Sequence, residues 1–181
     1  MMKTMLNGNG LVIWINGLSG SGKSTIGQAL HQKIAKTLKN VVYLDGDVLR
    51  SILGHFAYDK IGRINMAKKR ADLAHYLSQQ GIIVIVTTIS MFKEVYEYNA
   101  NLFKHFLHVY VQCDIHELIA RDQKSIYSSF LEGKIRQVVG MDIAYDVPPL
   151  NDGMSLVIDN NKRECLEQKV DSILSCLDIN G

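Results

Sequence analysis

A chain of 181 residues is the size of one domain, and 47% hydrophobic with 21% charged residues is the balance of a folded globular protein rather than a disordered one. A net charge of +2 without any dense basic run argues against an electrostatic nucleic-acid surface, and the longest apolar run, Ile82 to Val86, is too short to cross a membrane. The opening Met1 to Leu6, followed by Asn7-Gly8-Asn9-Gly10, is too short for a secretory apolar region, so a single cytoplasmic domain over 1–181 is expected.

Taken in chain order, Leu11 to Ile15 reads as a buried strand, followed by Gly17-Leu18-Ser19-Gly20-Ser21-Gly22-Lys23-Ser24-Thr25. Ile26, Leu30, Ile34 and Leu38 then recur every fourth residue, the stripe of a helix lying on a sheet, with Asn40 at its end. Val41 to Leu44 is a second strand and runs into Asp45-Gly46-Asp47. A helix is predicted over 65–80 with Met66, Leu73 and Leu77 inward, then a strand at Ile82 to Val86. Further elements are a polar helix near Glu94 to Asn101, a strand at Phe106 to Val111 and a helix at Asp114 to Asp122. A fifth strand falls at Ser155 to Ile158. The last helix is placed over Glu164 to Leu177, with Leu166, Val170, Ile173, Leu174 and Leu177 packed. Strands alternating with helices predict an α/β fold with a five-stranded parallel sheet covered on both faces.

The glycine-rich segment is a complete phosphate-binding loop between strand and helix. Gly17, Gly20 and Gly22 let backbone N–H groups turn inward, Lys23 reaches outer phosphates, and the Ser24 hydroxyl completes the shell of a magnesium ion. Asp45 and Asp47, just past the second strand, can hold that metal through water or take a proton from an attacking hydroxyl. Arg50, one helical turn on, is a candidate for a substrate phosphate. Ligands of such sheets bind beyond the carboxyl ends of the strands, where the loop, Asp45 to Asp47 and Thr87 to Ser90 all fall. Between the fourth and fifth strands, Arg121, Lys124, Lys134 and Arg136 with Gly133 and Gly140 suit a mobile cationic lid over about 121–147. The cysteines Cys113, Cys165 and Cys176 have no metal-binding spacing; Cys165 and Cys176, eleven apart, are expected buried on one helix face. The histidines receive no chemistry.

These segments, with Ile89-Ser90, Arg121 to Tyr127 and Gly140 to Tyr145, resemble the adenylylsulfate kinase family in order along nearly the whole chain. The resemblance implies a P-loop nucleotide-kinase fold, a homodimer, and transfer of the γ-phosphate of ATP to the ribose 3′-hydroxyl of a small nucleotide acceptor. It implies that Gly17, Ser19, Gly20, Ser21, Gly22, Lys23, Ser24 and Thr25, with Arg121 and Lys124 of the lid, bind ATP, and that Ser24 and Asp45 serve magnesium. Lys23 and Asp45 become the catalytic pair, Asp45 orienting the hydroxyl. Asp47, Arg50, Phe56, Arg63, Asn65, Ile89, Ser90, Lys93 and Val138 become acceptor-binding positions.

The chain departs from the family's pattern near the acceptor. Ile89-Ser90-Met91-Phe92-Lys93 replaces the usual Ile-Ser-Pro-Phe/Tyr-Arg, and Val138 stands where a lid phenylalanine stacks on adenine. The string Thr88 to Val95 is similar to a divergent branch linked to surface-polysaccharide synthesis, which includes cytidine diphosphoramidate kinases; adenylylsulfate is the alternative acceptor. A GTP-binding switch is the rival from another class, because Asn161-Lys162-Arg163-Glu164 approaches a guanine motif, but its last acid is Glu rather than Asp.

Overall fold

The computed structural model describes residues 4–5, 10–54, 57–149, 155–162 and 164–178. Its centre is a parallel sheet of β2 (Leu11–Asn16), β3 (Val41–Asp45), β4 (Ile83–Thr88), β5 (Phe106–Gln112) and β6 (Ser155–Asp159), in the order β3-β4-β2-β5-β6. A separate two-stranded parallel pair joins β1 (Thr4–Met5) to β7 (Leu177–Asp178). β2 is central: Leu11 pairs with Ile83 on one side, and Val12 pairs with Phe106 on the other.

Strand side chains alternate between two apolar layers, and both are covered, which is why these strands read as continuous hydrophobic runs. Val12, Trp14, Val84, Val86 and Phe106 meet α3 (Lys60–Ser78) and α4 (Lys93–Leu102). Ala67, Ala71 and Ala74 give α3 a flat inner face. On the other side Leu11, Ile13, Ile15, Ile83, Ile85 and Val109 meet α1 (Lys23–Ile34) and α7 (Leu166–Leu174). The expected five-stranded α/β architecture is therefore present. Among the described residues no helix is long and apolar enough to cross a membrane.

Several local expectations are corrected. α1 ends at Ile34, and Leu38 lies beyond the turn that follows it; Asn40 instead donates from Nδ2 to the Gly81 carbonyl at 2.6 Å. α2 (Gly46–Leu53) is a further helix, and its outward Val48 and Ile52 obscure the usual apolar stripe. α3 starts at Lys60 rather than 65, since the Asp59 carboxylate accepts from the Gly62 N–H at 2.7 Å and caps it. α5 (Ile115–Arg121) falls within the helix predicted at Asp114 to Asp122, and α6 (Ile126–Leu131) is an additional one. The last helix is shorter than expected: Leu166 is exposed and Leu177 belongs to β7. Cys165 is exposed at the left-handed residue preceding α7 and Cys176 is buried past its end, so they do not share a helix face.

Candidate functional site

The phosphate loop leaves β2 at Asn16 and enters α1 at Lys23. Gly22 takes φ 93°, and a Cβ there would stand 2.3 Å from Asn160 Nδ2, so this position needs glycine both for its backbone and for space. No side chain caps the start of α1, which leaves its first N–H groups available to an anion. Lys23 Nζ points back to the Leu18 carbonyl at 3.4 Å. Burial draws its pKa down from 10.5 to about 8, against the opposing pull of Asp47.

Asp45 ends β3 and caps α2 through Oδ1, which accepts from the backbone N–H groups of Asp47 and Val48 at 2.9 and 3.3 Å. Its Oδ2 accepts from Tyr43 OH at 3.0 Å, Ser24 Oγ at 3.3 Å and Thr87 Oγ1 at 3.3 Å. Partial burial would raise the pKa of this carboxyl, but the hydrogen bonds to Asp47, Val48, Tyr43 and Thr87 outweigh it and hold the group below the usual carboxylate value. Asp45 is thus a fixed, ionised acceptor beside the phosphate loop.

A cleft of about 310 Å³ opens here, lined by Ser19, Lys23, Ser24, Asp45, Asp47, Arg50, Arg63, Ile89, Ser90 and Lys124 among others. Three segments predicted to converge do so. Arg50 lies over the Tyr58 ring at 4.3 Å. Arg63 donates from Nε to the Tyr58 carbonyl and from Nη2 to the Gln137 carbonyl, both at 2.7 Å, tying the start of α3 to the segment before Val138. Lys124 closes one rim by pairing with Asp47 at 2.6 Å.

Some expected residues stand elsewhere. Thr25 is exposed on the first turn of α1, while Gly17, Gly20, Ser21 and Gly22 build the loop behind the cleft. Asn65 is exposed on α3 and does not line the cleft, because the face of α3 turned to it is the one carrying Arg63, Met66 and Arg70. Lys93 pairs with Glu97 on the surface of α4 at 3.7 Å, also outside the cleft. Val138 is 6% exposed and packed in the apolar layer with Leu18 and Tyr127 rather than lining the cleft. Arg121 is not a lid-tip cation: its guanidinium donates to Glu117 Oε1 at 3.0 Å and to the carbonyls of Asn160 and Asn161, which hold it against the end of β6. Phe56 lies outside the described residues.

The match to the family model of adenylylsulphate kinase runs over residues 9–156, most of the chain. The chain belongs to the adenylylsulphate kinase family. It is 52% identical over 172 residues to a cytidine diphosphoramidate kinase of Campylobacter jejuni subsp. jejuni serotype O:2, covering 95% of this chain and 99% of that one. It is 35% identical to an adenylyl-sulfate kinase of Clostridium kluyveri, covering 98% and 88%. Among solved structures, the Mycobacterium tuberculosis APS kinase in complex with AMPPNP and APS superposes with a TM-score of 0.80 at 24% identity, over 93% and 97% of the two chains; that likeness concerns the fold.

The adenylylsulphate kinase motifs did not disclose every residue that shapes the cleft. Tyr43 and Thr87, whose hydroxyls lie 2.8 Å apart, hold Asp45 but sit inside strands and read as core. Asn160 donates to the Ser21 carbonyl at 2.6 Å and accepts from Lys169 Nζ at 2.6 Å, supporting the phosphate loop from the far side. Asn161 accepts the Asp114 N–H at 2.9 Å, a structural use of a residue weighed above as part of a guanine motif. Arg70 enters the cleft wall from α3, where the sequence offered only another cation in a polar helical pattern.

Proposed function

We propose that the protein transfers the γ-phosphate of ATP to the ribose 3′-hydroxyl of cytidine diphosphoramidate, in the assembly of a phosphoramidate-bearing surface polysaccharide. The observation that carries the acceptor is the 52% identity to a cytidine diphosphoramidate kinase across essentially both full lengths. The geometry supports the reaction type: a phosphate loop and a fixed carboxylate meet in one cleft that Arg50 and Arg63 also line.

In this reading the loop N–H groups and Lys23 bind the ATP phosphates, and Lys23 offsets charge that gathers on the outer phosphate during transfer. Asp45 accepts a hydrogen bond from the acceptor hydroxyl. With its pKa held low, it orients the hydroxyl and takes the proton as the new bond forms, rather than removing it beforehand. Arg50 and Arg63 receive the anionic side of the acceptor, and Lys124 leaves Asp47 for the nucleotide as the segment over 121–147 closes.

Ser24 Oγ and Asp45 Oδ2 are hard oxygen donors 3.3 Å apart, a donor set suited to magnesium. The ion, when bound, neutralises phosphate charge. A homodimer and a cytoplasmic location belong to the same proposal. The deciding assay supplies ATP, magnesium and either cytidine diphosphoramidate or adenylylsulfate, and locates the new phosphate on the product by phosphorus NMR. Preferential 3′-phosphorylation of the cytidine compound is expected. Preference for adenylylsulfate by orders of magnitude overturns the acceptor assignment and leaves the kinase.

A further inference from the structure

The cleft wall holds a cation that the reaction scheme leaves unused. Arg70, on the inner side of α3, is 3% exposed. Its Nη1 donates to Thr88 Oγ1 at 2.6 Å and to Ser90 Oγ at 3.4 Å, and its Nη2 donates to the Gly46 carbonyl at 3.2 Å. All three acceptors are neutral, and Nε is buried without a hydrogen-bond partner. Among the described residues, the ion pairs to carboxylates do not include Arg70. Burial, and Arg50 beside it, draw its pKa down from 12.5 to about 10 against the pull of Asp47 and Asp45, so this guanidinium in the cleft wall carries charge that an anionic ligand can balance further.

Arg70 also sets the direction of a hydroxyl relay. Thr88 Oγ1 accepts from Arg70 Nη1 and from the Ser90 backbone N–H at 3.3 Å, which uses both of its lone pairs. Its own hydrogen must then go to Ser90 Oγ, 2.7 Å away. Ser90 Oγ is left with its hydrogen free to donate, and Ser90 lines the cleft. Without the guanidinium, the Thr88–Ser90 pair could run in either direction, and in one of them Ser90 no longer donates outward.

We propose that Arg70 is a positioning residue for the acceptor: it holds Thr88 as an acceptor so that Ser90 Oγ donates to an anionic, phosphate-type group on the nucleotide. This assignment rests on the reading of the cleft as the acceptor site. A lysine at position 70 keeps the charge but cannot span Thr88 Oγ1 and the Gly46 carbonyl as a planar fork does.

The test is steady-state kinetics with ATP and cytidine diphosphoramidate on the wild type, Arg70→Met, Arg70→Lys, Ser90→Ala and the Arg70→Met/Ser90→Ala double variant. The KM for the acceptor should rise about tenfold in Arg70→Met and in Ser90→Ala, the loss expected for one hydrogen bond to a charged group, while the KM for ATP stays within about twofold. The double variant should be no more than about twofold worse than the worse single variant, because both changes cut one relay. Arg70→Lys should retain the raised KM. An unchanged acceptor KM in Arg70→Met, full recovery in Arg70→Lys, or multiplying effects in the double variant overturns the assignment. If circular dichroism shows Arg70→Met unfolded, Thr88→Val replaces it in the same cycle under the same criteria. A wild type inactive on both cytidine diphosphoramidate and adenylylsulfate brings down the acceptor-site reading and this assignment together, and is told apart by the wild type's own inactivity.

Discussion

Ser24 Oγ donates to Asp45 Oδ2 across 3.3 Å, joining the first turn of α1 to the last residue of β3. β3 is not a neighbour of β2, the strand that carries the phosphate loop, because β4 lies between them. The contact therefore crosses the mouth of β4, and Thr87 from that strand shares the same carboxylate oxygen. One carboxylate registers three segments against one another.

Asp45→Asn should separate the two duties of this carboxylate. Asparagine can keep the helix cap through its carbonyl oxygen, but its Nδ2 cannot accept from Tyr43, Ser24 and Thr87, so stability should fall by about 1–3 kcal/mol. Turnover should fall by a factor of about 10² to 10⁴, the usual loss for a proton-accepting group, with the KM for ATP little changed. Thermal unfolding and steady-state kinetics on one preparation test both halves; turnover near the wild-type value removes Asp45 from the hydroxyl.

Lys23 should make nucleotide binding pH-dependent. In the fold its pKa lies near 8, below the ordinary 10.5. The unfolded chain thus binds more protons between these values, and this group's contribution to stability rises as pH climbs through that window. Binding runs the opposite way, because ATP phosphates favour the charged amine: affinity should fall as pH rises through about 8. Calorimetry at pH 9 in two buffers of different ionisation enthalpy should show proton uptake on ATP binding. Lys23→Ala should abolish that uptake, raise the KM for ATP and lower turnover.

The segment over 121–147 should lose amide exchange when an ATP analogue and magnesium bind. Its backbone already bends sharply, with positive φ at Asp122, Ser125, Gly133, Gln137 and Gly140, and it meets α2 through the exposed Lys124–Asp47 ion pair. Such a pair contributes at most about 1 kcal/mol. Lys124→Ala should leave the melting temperature almost unchanged while weakening ATP binding. Exchange that slows only in the phosphate loop would count against a lid.

Val138→Phe should destabilise the fold rather than retune the acceptor. Val138 is 6% exposed among Leu18, Tyr127 and Val139, and overpacking such a position costs about 1–3 kcal/mol. Denaturant unfolding should record that loss, and the ratio of kcat/KM for adenylylsulfate and cytidine diphosphoramidate should stay within about threefold, less than the tenfold expected of one stacked base. A large shift toward the purine would place residue 138 on the base after all.

What was legible in the sequence was whatever repeats or carries a fixed chemical spacing. β2, β4 and β5 announce themselves because both faces are buried, and Gly17 to Thr25 because a phosphate cradle needs those residues in that order. α2 escaped notice because Asp45 caps it from within what reads as a turn, and only Leu49 of its eight residues is buried. The direction of Arg121 could not be read either. Besides Glu117, one helical turn back, its partners are backbone carbonyls at Asn160 and Asn161, thirty-nine and forty residues away, and a carbonyl leaves no mark in a sequence. Arg70 was hidden for a related reason: its acceptors are two hydroxyls and a carbonyl, with no acid of complementary spacing to betray it.

The central place of β2 bears on how the chain acquires its ligand during synthesis. The phosphate cradle is contiguous in sequence, yet the strand that carries it hydrogen-bonds to Ile83 through Thr88 on one edge and to Phe106 through Tyr110 on the other. A nascent chain that has emerged only as far as α1 holds every residue of the cradle and neither of the strands that fix it. Closing those long loops must precede the reward of pairing, which slows assembly. Nucleotide can therefore stabilise the finished sheet by mass action but cannot template its first half, and ATP should accelerate refolding little while strongly slowing unfolding.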